Sequence, residues 1–196
     1  HDVVSGEEYC GWLERHFAAG APGVYVFNHF DIKRDKRSIF GQFLVQDGDF
    51  RRSVCEAPRA YVVTTHDVAP KRELLGIQLA CTLEKPVRLK IGIGTPPPTG
   101  TVALHLGAKG TLDAAALASV RLNGVKPTSV KEISVLPWLK CLPKVPPVCT
   151  QAVRFEFPLV ALRAGDNEIS LDAMKDGKNV RLFACELFVT PGASEK

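Results

Sequence analysis

The sequence has little of what several functional classes require. No apolar run reaches the length of a membrane-spanning helix, and no serine lies in a GxSxG nucleophile elbow. Gly92 and Gly94 are followed by prolines instead of a helix, which excludes a phosphate-binding nucleotide loop there. The net charge of +4 is mild, and the densest basic run, residues 33–37, contains its own acid, Asp35. Membrane insertion, nucleotide binding and nucleic-acid recognition are therefore not indicated.

Cysteine usage leaves the redox environment open. The chain has six cysteines and no CxxC pair. Cys141 and Cys149 bound the Pro-rich segment CLPKVPPVC, where a disulfide bridge is plausible, and two unpaired loop thiols in a reducing compartment fit equally well. Cys10, Cys81 and Cys185 lie within apolar patterns and are predicted to be small core residues. The compartment stays open, with an extracellular or periplasmic location favoured.

The strongest pattern is strand periodicity in the last third of the chain, residues 152–191. Apolar residues occupy alternate positions in two runs, 153–157 and 169–173, as in strands with one solvent-facing side. In the final run, Val180 and Leu182 have the opposite parity to the apolar residues that follow them. That strand is therefore expected either to change face at a bulge or to be buried on both sides near its start.

Oxygen-rich turns separate these runs. Gly165, Asp166 and Asn167 are predicted to form one turn, and Asp176 with Gly177 a second. Asp166, Asn167 and Asp176 could help to hold a structural calcium ion, because calcium prefers oxygen ligands. An ordinary turn role is favoured for them, and no other metal site or cofactor is indicated.

Similar strand patterns continue through the middle of the chain. They cover residues 61–65, 75–81, 87–93, 102–106 and 120–122. Gly- and Pro-rich turns between them are typical of an all-β sandwich. The sequence therefore predicts a mainly β fold, an antiparallel, jelly-roll-like β-sandwich, over residues 58–196.

The first 57 residues have a different, helix–strand–helix character. Ser5 and Glu8 form a capping box, and apolar residues follow at helical spacing. The continuous apolar run VYVF then predicts a buried strand, and a second helix is expected over residues 38–46. A single parallel strand needs partners at both edges, and the following sequence is antiparallel in character. Residues 1–57 are therefore assigned as a separate, short α/β segment.

Several phrases of the chain resemble one protein family in the same order. GEEYCGWLERHFAAGAPGVYVFNHFD is similar to the last helix–strand unit of microbial glycoside-hydrolase-like TIM barrels. In that family a β-sandwich follows the barrel, and ASVRLNGV, ALRAGDNEISL and ACELFV resemble phrases of its strands. The resemblance covers most of the chain, although each phrase is short. It implies that this chain is the C-terminal region of a larger protein whose first seven barrel strands lie elsewhere.

The resemblance also implies a role for the residues after the VYVF strand. Active sites of such barrels lie at the C-terminal ends of the strands, so Asn28, His29 and Phe30 would line the substrate cleft. Phe30 would offer a ring for sugar stacking and Asn28 a hydrogen bond. The alternative, that these residues merely end a strand and begin a loop, has equal weight.

Catalytic carboxylates and aromatic sugar platforms are both scarce. The acidic residues fall at helix starts, turns or outward strand positions, so no pair facing one glycosidic bond is indicated and no residue is assigned as catalytic. Carbohydrate-binding surfaces stack exposed rings on sugars, yet the chain has only two Trp and three Tyr. Trp12 is predicted to belong to the helix core. Trp138, in the Pro-rich loop, is the candidate platform, with a buried plug as the favoured alternative.

Two hypotheses from different classes follow. The leading one is a non-catalytic accessory region of a glycoside-hydrolase-like protein, whose partners are polysaccharide or the missing barrel. It predicts an apolar, barrel-facing patch on the N-terminal elements. The second is a stand-alone sandwich for adhesion or protein interaction, which predicts a closed, monodisperse domain with those helices covered. Nucleic-acid and membrane partners are not expected under either hypothesis.

Overall fold

The computed structural model describes residues 6–21, 50–64, 81–134 and 150–192. In chain order, these residues form α1 Gly6–Ala18, α2 Phe50–Glu56, β1 Arg59–Thr64, β2 Cys81–Thr82, β3 Val87–Ile93, β4 Gly100–Lys109, α3 Ala114–Ser119, β5 Arg121–Leu122, β6 Ser129–Ile133, β7 Gln151–Phe157, β8 Gly165–Leu171 and β9 Arg181–Pro191, with short 3-10 turns at Leu159–Ala161 and Gly177–Asn179. The strand predicted at VYVF, the helix predicted over 38–46 and most of the strand predicted over 75–81 lie outside this part of the chain.

The strands form two antiparallel sheets, which confirms the prediction of a mainly β fold. The larger sheet has the order β1-β9-β4-β7-β6, and β2 also pairs with β9. The smaller sheet has the order β3-β8-β5. Because the described strands divide into six and three, the finer prediction of a jelly roll, which has eight strands in two Greek keys, stays a prediction.

The core lies between the sheets and is built by the alternation seen in the sequence. In β3, Val87, Leu89, Ile91 and Ile93 are buried, and the residues between them are more exposed. The larger sheet supplies facing side chains such as Phe155, which is fully buried. Burying a side chain of this size stabilises the fold by roughly 1.5–3 kcal/mol.

Strand β9 changes face at a bulge, which is one of the two alternatives that its parity predicted. Gly107 of β4 pairs with Ala184, whereas the next residue, Ala108, pairs with Leu182, so Phe183 is the extra residue. Leu182 and Cys185 consequently both reach the core although they are three positions apart.

The turn predicted at residues 165–167 is wrong in its extent. Strand β8 already begins at Gly165, and Asn167 lies inside it, fully buried. The side chain of Asn167 accepts from the backbone N–H of Arg163 at 3.0 Å and donates to the Arg163 carbonyl at 2.8 Å. Asn167 lies in the strand, and its side chain stabilises the preceding turn through local hydrogen bonds to the backbone.

Three elements were not predicted, namely α2, α3 and β6. Helix α3 is six residues long, and Asp113 caps it by accepting a hydrogen bond from Ala116 N at 2.7 Å. Strand β6 is exposed along four of its five residues, so it carries no alternation that periodicity could detect. These elements are too short or too polar for hydrophobic periodicity to identify them.

Helix α1 packs on the side of the sandwich where β1 and β3 approach each other. Its buried side carries Leu13 and Phe17, which pack with Val54 of α2. Gly11 lies against the backbone of β1, where a methyl group would overlap with the carbonyl of Ala60. Helix α1 therefore contacts the backbone of β1 directly at Gly11.

Candidate functional site

A buried carboxylate joins α1 to both sheets. Glu14 Oε2 accepts hydrogen bonds from the Tyr61 hydroxyl at 2.9 Å and from the backbone N–H of Gly94 at 2.8 Å. The other oxygen, Oε1, lies 3.7 Å from Nη1 of Arg59. Tyr61 and Arg59 belong to β1, and Gly94 directly follows β3. We call these four residues the Glu14 cluster.

The local sequence explains why the cluster forms. Arg59 and Tyr61 are two positions apart on β1, so their side chains share one face of the strand. Gly94 has no side chain, and a methyl group there would overlap with the Glu14 carboxylate. The glycine therefore allows the carboxylate to reach the backbone N–H, and the strand parity brings two further donors to it.

Arg59 has more hydrogen-bonding capacity than the cluster uses. Its side chain is 2% exposed, and its Nε has no hydrogen-bond partner among the described residues. The contact with Glu14 is longer than the 2.7–2.9 Å typical of charge-assisted hydrogen bonds. A buried donor without an acceptor costs about 1–3 kcal/mol, so this guanidinium favours an additional acceptor.

A groove of about 840 Å³ opens beside the Glu14 cluster. Its lining includes Glu14 and Arg59, further residues of α1 and α2, and the TPPPT loop, residues 95–99. Pro191, the last residue of β9, and Gly192 also line it. The volume falls within the range of small-molecule binding sites.

A further side of α1 carries an aromatic surface with an exposed Trp12, which corrects the prediction that Trp12 belongs to the helix core; Tyr9, at its edge, also packs against Leu13 and Phe17. Trp12 is 47% exposed. It stacks on Tyr9, with ring centroids 5.8 Å apart, and meets the edge of His16 at 4.4 Å. We call Tyr9, Trp12 and His16 the aromatic surface of α1.

The second face of the larger sheet holds a buried polar pair. His105 Nδ1 lies 2.8 Å from Glu186 Oε2, and both side chains are buried. Nη1 of Arg154 lies 3.4 Å from the other ring nitrogen, Nε2. Because an arginine can only donate, the contact with Arg154 fits a ring whose Nε2 accepts and whose Nδ1 donates to Glu186. The pair is satisfied internally and links β9, β4 and β7.

The buried thiols and the buried phenol are poor nucleophiles. Burial raises the pKa of the Cys10 thiol to about 12, so it stays protonated at neutral pH. Burial also raises the pKa of Cys185 and of Tyr61. The prediction that Cys10 and Cys185 are core residues is confirmed, since both are buried.

The residues predicted from the resemblance lie outside the described part of the chain. This holds for the cleft residues Asn28, His29 and Phe30, for Trp138, and for the proposed disulfide between Cys141 and Cys149. They therefore stay predictions.

One of the three candidate calcium ligands, Asn167, already has other hydrogen-bond partners. Asn167 Oδ1 already accepts from Asn123 Nδ2 at 2.8 Å and from the Arg163 N–H. The described residues contain no group of three or more His, Cys, Asp or Glu side chains arranged to hold a metal ion. Within the same residues, no helix is both long and apolar enough to cross a bilayer. A structural calcium ion stays a prediction.

The Glu14 cluster was missed, although the sequence contains a signal for it. Cys10, Leu13, Glu14 and Phe17 lie at positions i, i+3, i+4 and i+7, the spacing of one helix face. A carboxylate on an otherwise apolar face must find buried partners. Their identity depends on contacts far apart in the sequence, which periodicity does not give.

Comparisons with known proteins find weak structural similarity to solved structures and no match by sequence. No family model matches the sequence, and no curated protein matches it. Among solved structures, crystal structures of wild-type BuGH86 and of a BuGH86 variant, both in complex with neoagarooctaose, are similar at 14% identity with a TM-score of 0.36. The matches cover 67% of this chain but only 18% and 19% of those chains. These weak neighbours are glycoside hydrolases, and a TM-score of this size does not establish a shared fold.

Proposed function

We propose that the chain is an accessory, non-catalytic region of a glycoside-hydrolase-like protein. In this proposal the sandwich supports a preceding barrel and contacts carbohydrate. The observation that carries the proposal is that one side of α1 is packed on the sandwich and another side is exposed. One side is fixed to the sandwich by the Glu14 cluster, and the other exposes the aromatic surface, with Trp12 47% exposed. The resemblance implies that this helix belongs to a last barrel unit, and in this proposal its exposed side is the surface that meets the barrel.

The Glu14 cluster supports a structural role for its carboxylate. A general acid or base must reach the proton that it transfers. One oxygen of Glu14 already accepts two hydrogen bonds, and the other faces the Arg59 guanidinium. A second carboxylate at a catalytic separation is not part of the cluster. This arrangement holds the helix in place better than it serves hydrolysis.

A stand-alone interaction module is the second candidate function. The observation that favours it is the burial of Leu13 and Phe17, because a closed domain covers the apolar stripe of its own helix. The two candidates differ in what they predict for the exposed aromatic side. An accessory region uses that side for docking, whereas a closed module leaves it in solvent.

The test is the self-association of the isolated chain. We expect the wild-type chain to associate through the aromatic surface in sedimentation equilibrium, because an exposed aromatic patch separated from its partner pairs with another copy. Trp12→Ala should weaken this association at least roughly tenfold, since a central tryptophan at an interface contributes about 2 kcal/mol or more. The matched control is Val160→Ala, because Val160 is 85% exposed on a distant 3-10 turn.

Val160→Ala should leave the association unchanged. A wild-type chain that stays monomeric over the whole concentration range would contradict docking through α1 and favour the closed module. Equal weakening by both variants would show that the association is not specific to the aromatic surface.

A further inference from the structure

A tight turn follows β5 at Asn123 and Gly124. The flanking residues, Leu122 and Val125, exchange two backbone hydrogen bonds of 3.0 and 2.9 Å. Both turn residues have positive φ, 50° at Asn123 and 81° at Gly124, as in a two-residue type I′ turn. This is the one Asn–Gly pair of the chain. Asparagine before glycine is prone to intramolecular deamidation, because no side chain shields the backbone nitrogen of the glycine.

The side chain of Asn123 is held by hydrogen bonds at both of its polar atoms. Its Nδ2 donates to the Ala161 carbonyl and to Asn167 Oδ1, both at 2.8 Å. Its Oδ1 accepts from the backbone N–H of Glu168 at 2.9 Å. The orientation of the amide is fixed by these partners, because a carbonyl can only accept and a backbone N–H can only donate.

Asn167 cannot adapt to a carboxylate at position 123. It is fully buried, and its Nδ2 donates to the carbonyls of Arg163 at 2.8 Å and of Gly165 at 3.0 Å. Turning this amide around would break both bonds. A carboxylate in place of the Asn123 amide would therefore face two acceptors, the Ala161 carbonyl and Asn167 Oδ1, without a hydrogen to donate.

Deamidation proceeds by attack of the Gly124 backbone nitrogen on Cγ of Asn123. A bond forms between these two atoms and the Cγ–Nδ2 bond breaks, so that Nδ2 leaves as ammonia with the proton of the Gly124 N–H. Water then opens the succinimide ring, which gives aspartate or isoaspartate. In the folded chain, Cγ must first rotate out of the three hydrogen bonds that hold the amide.

We propose that Asn123 and Gly124 form a modification site that reacts when the chain unfolds and then prevents it from refolding. The folded structure protects the amide. The aspartate product cannot rebuild the bonds to Ala161 and Asn167, and isoaspartate also lengthens the backbone of a two-residue turn. Chemical modification of the unfolded chain makes unfolding irreversible. This proposal is independent of any barrel or carbohydrate contact.

The experiment compares deamidation of the full chain in mildly alkaline buffer with and without urea above its unfolding transition. Peptide mapping by mass spectrometry follows the amide-to-acid conversion at Asn123. The reference in the same digest is Asn179, which is exposed and precedes the branched Val180. We expect Asn123 to react at least roughly tenfold faster in urea, because its hydrogen bonds must otherwise open first. Asn179 should react slowly in both.

Two variants separate the product from the reaction. Asn123→Asp introduces the product and should lower the equilibrium constant for folding at least roughly tenfold, since two acceptors lose their donor. Its matched control, Asn179→Asp, adds the same charge at an exposed position and should leave that constant unchanged.

Gly124→Asn shields the backbone nitrogen but keeps a residue that tolerates positive φ. A Cβ atom at this position meets nothing within 4 Å. We expect this variant to refold fully after an incubation in urea that leaves wild type unable to refold.

The proposal is overturned if Asn123 reacts as fast in the folded chain as in urea, or if Asn123→Asp is as stable as Asn179→Asp. It is also overturned if the incubated wild-type chain refolds as completely as Gly124→Asn. Should Asn123→Asp not fold at all, the refolding comparison between wild type and Gly124→Asn decides.

Discussion

Replacing Glu14 with alanine is expected to lower the free energy of unfolding by about 3–5 kcal/mol. The substitution leaves the Arg59 guanidinium buried without its counter-charge. It also removes the acceptor for the Tyr61 hydroxyl and for the Gly94 N–H. Because these groups belong to β1 and to the end of β3, the loss should loosen α1 from both sheets. Urea denaturation followed by circular dichroism measures the effect.

Two further variants separate the effect of the Glu14 charge from the effect of its buried location. Glu14→Gln keeps an acceptor oxygen of similar size but removes the charge, so an intermediate loss of about 1.5–3 kcal/mol is expected. Glu56→Ala removes a carboxylate of similar chemistry from the exposed pair with Arg52, and should cost only about 0.3–0.5 kcal/mol. If Glu14→Ala were no more destabilising than Glu56→Ala, the Glu14 cluster would not hold the helix.

The second large effect is expected at Gly11. Alanine at this position would place a methyl group against the carbonyl of Ala60, and the side chain of Tyr61 lies 3.3 Å from the same point. The nearest obstacle is backbone, which cannot move without shifting α1 away from β1. We expect Gly11→Ala to destabilise the chain by about 3 kcal/mol, as overpacking at a closely packed contact does.

The sign of this result is informative, because helix propensity alone predicts the opposite. In a solvated helix interior, glycine to alanine stabilises by about 1 kcal/mol. Ala18→Gly, at the exposed last residue of the same helix, leaves the contact with β1 unaltered and should change the stability by less than the interior propensity value. A stabilising Gly11→Ala variant would show that α1 does not pack on the sandwich as described.

The strands could be predicted from the sequence where apolar residues alternate with a single, uninterrupted period of two. Strand β3 alternates without interruption, and its register with β8 runs over all seven residues, so the sequence pattern and the structure agree. The face change in β9 was also predictable, because two apolar parities in one run require a bulge or burial on both sides. Residue 183 could not be identified as the extra residue without the register of β4.

The candidate site was less predictable, because it depends on pairings between distant parts of the chain. Trp12 was predicted as core since it lies beside the apolar stripe of α1, yet it is 47% exposed, while Gly11 makes the close approach to β1. Asn167 was predicted as a turn residue since asparagine is common in turns. Its side chain does serve the turn, from a buried strand position that local propensity does not reveal.

The proposal that the chain belongs to a larger glycoside-hydrolase-like protein is tested most directly by the intact mass of the native gene product, read together with its upstream reading frame. We expect a longer product in which earlier barrel strands end in two catalytic carboxylates, with the present helix α1 in the last barrel unit. A product without a barrel before α1 would contradict the proposal. The sandwich would then function as an interaction module, with α1 as part of its own closed fold.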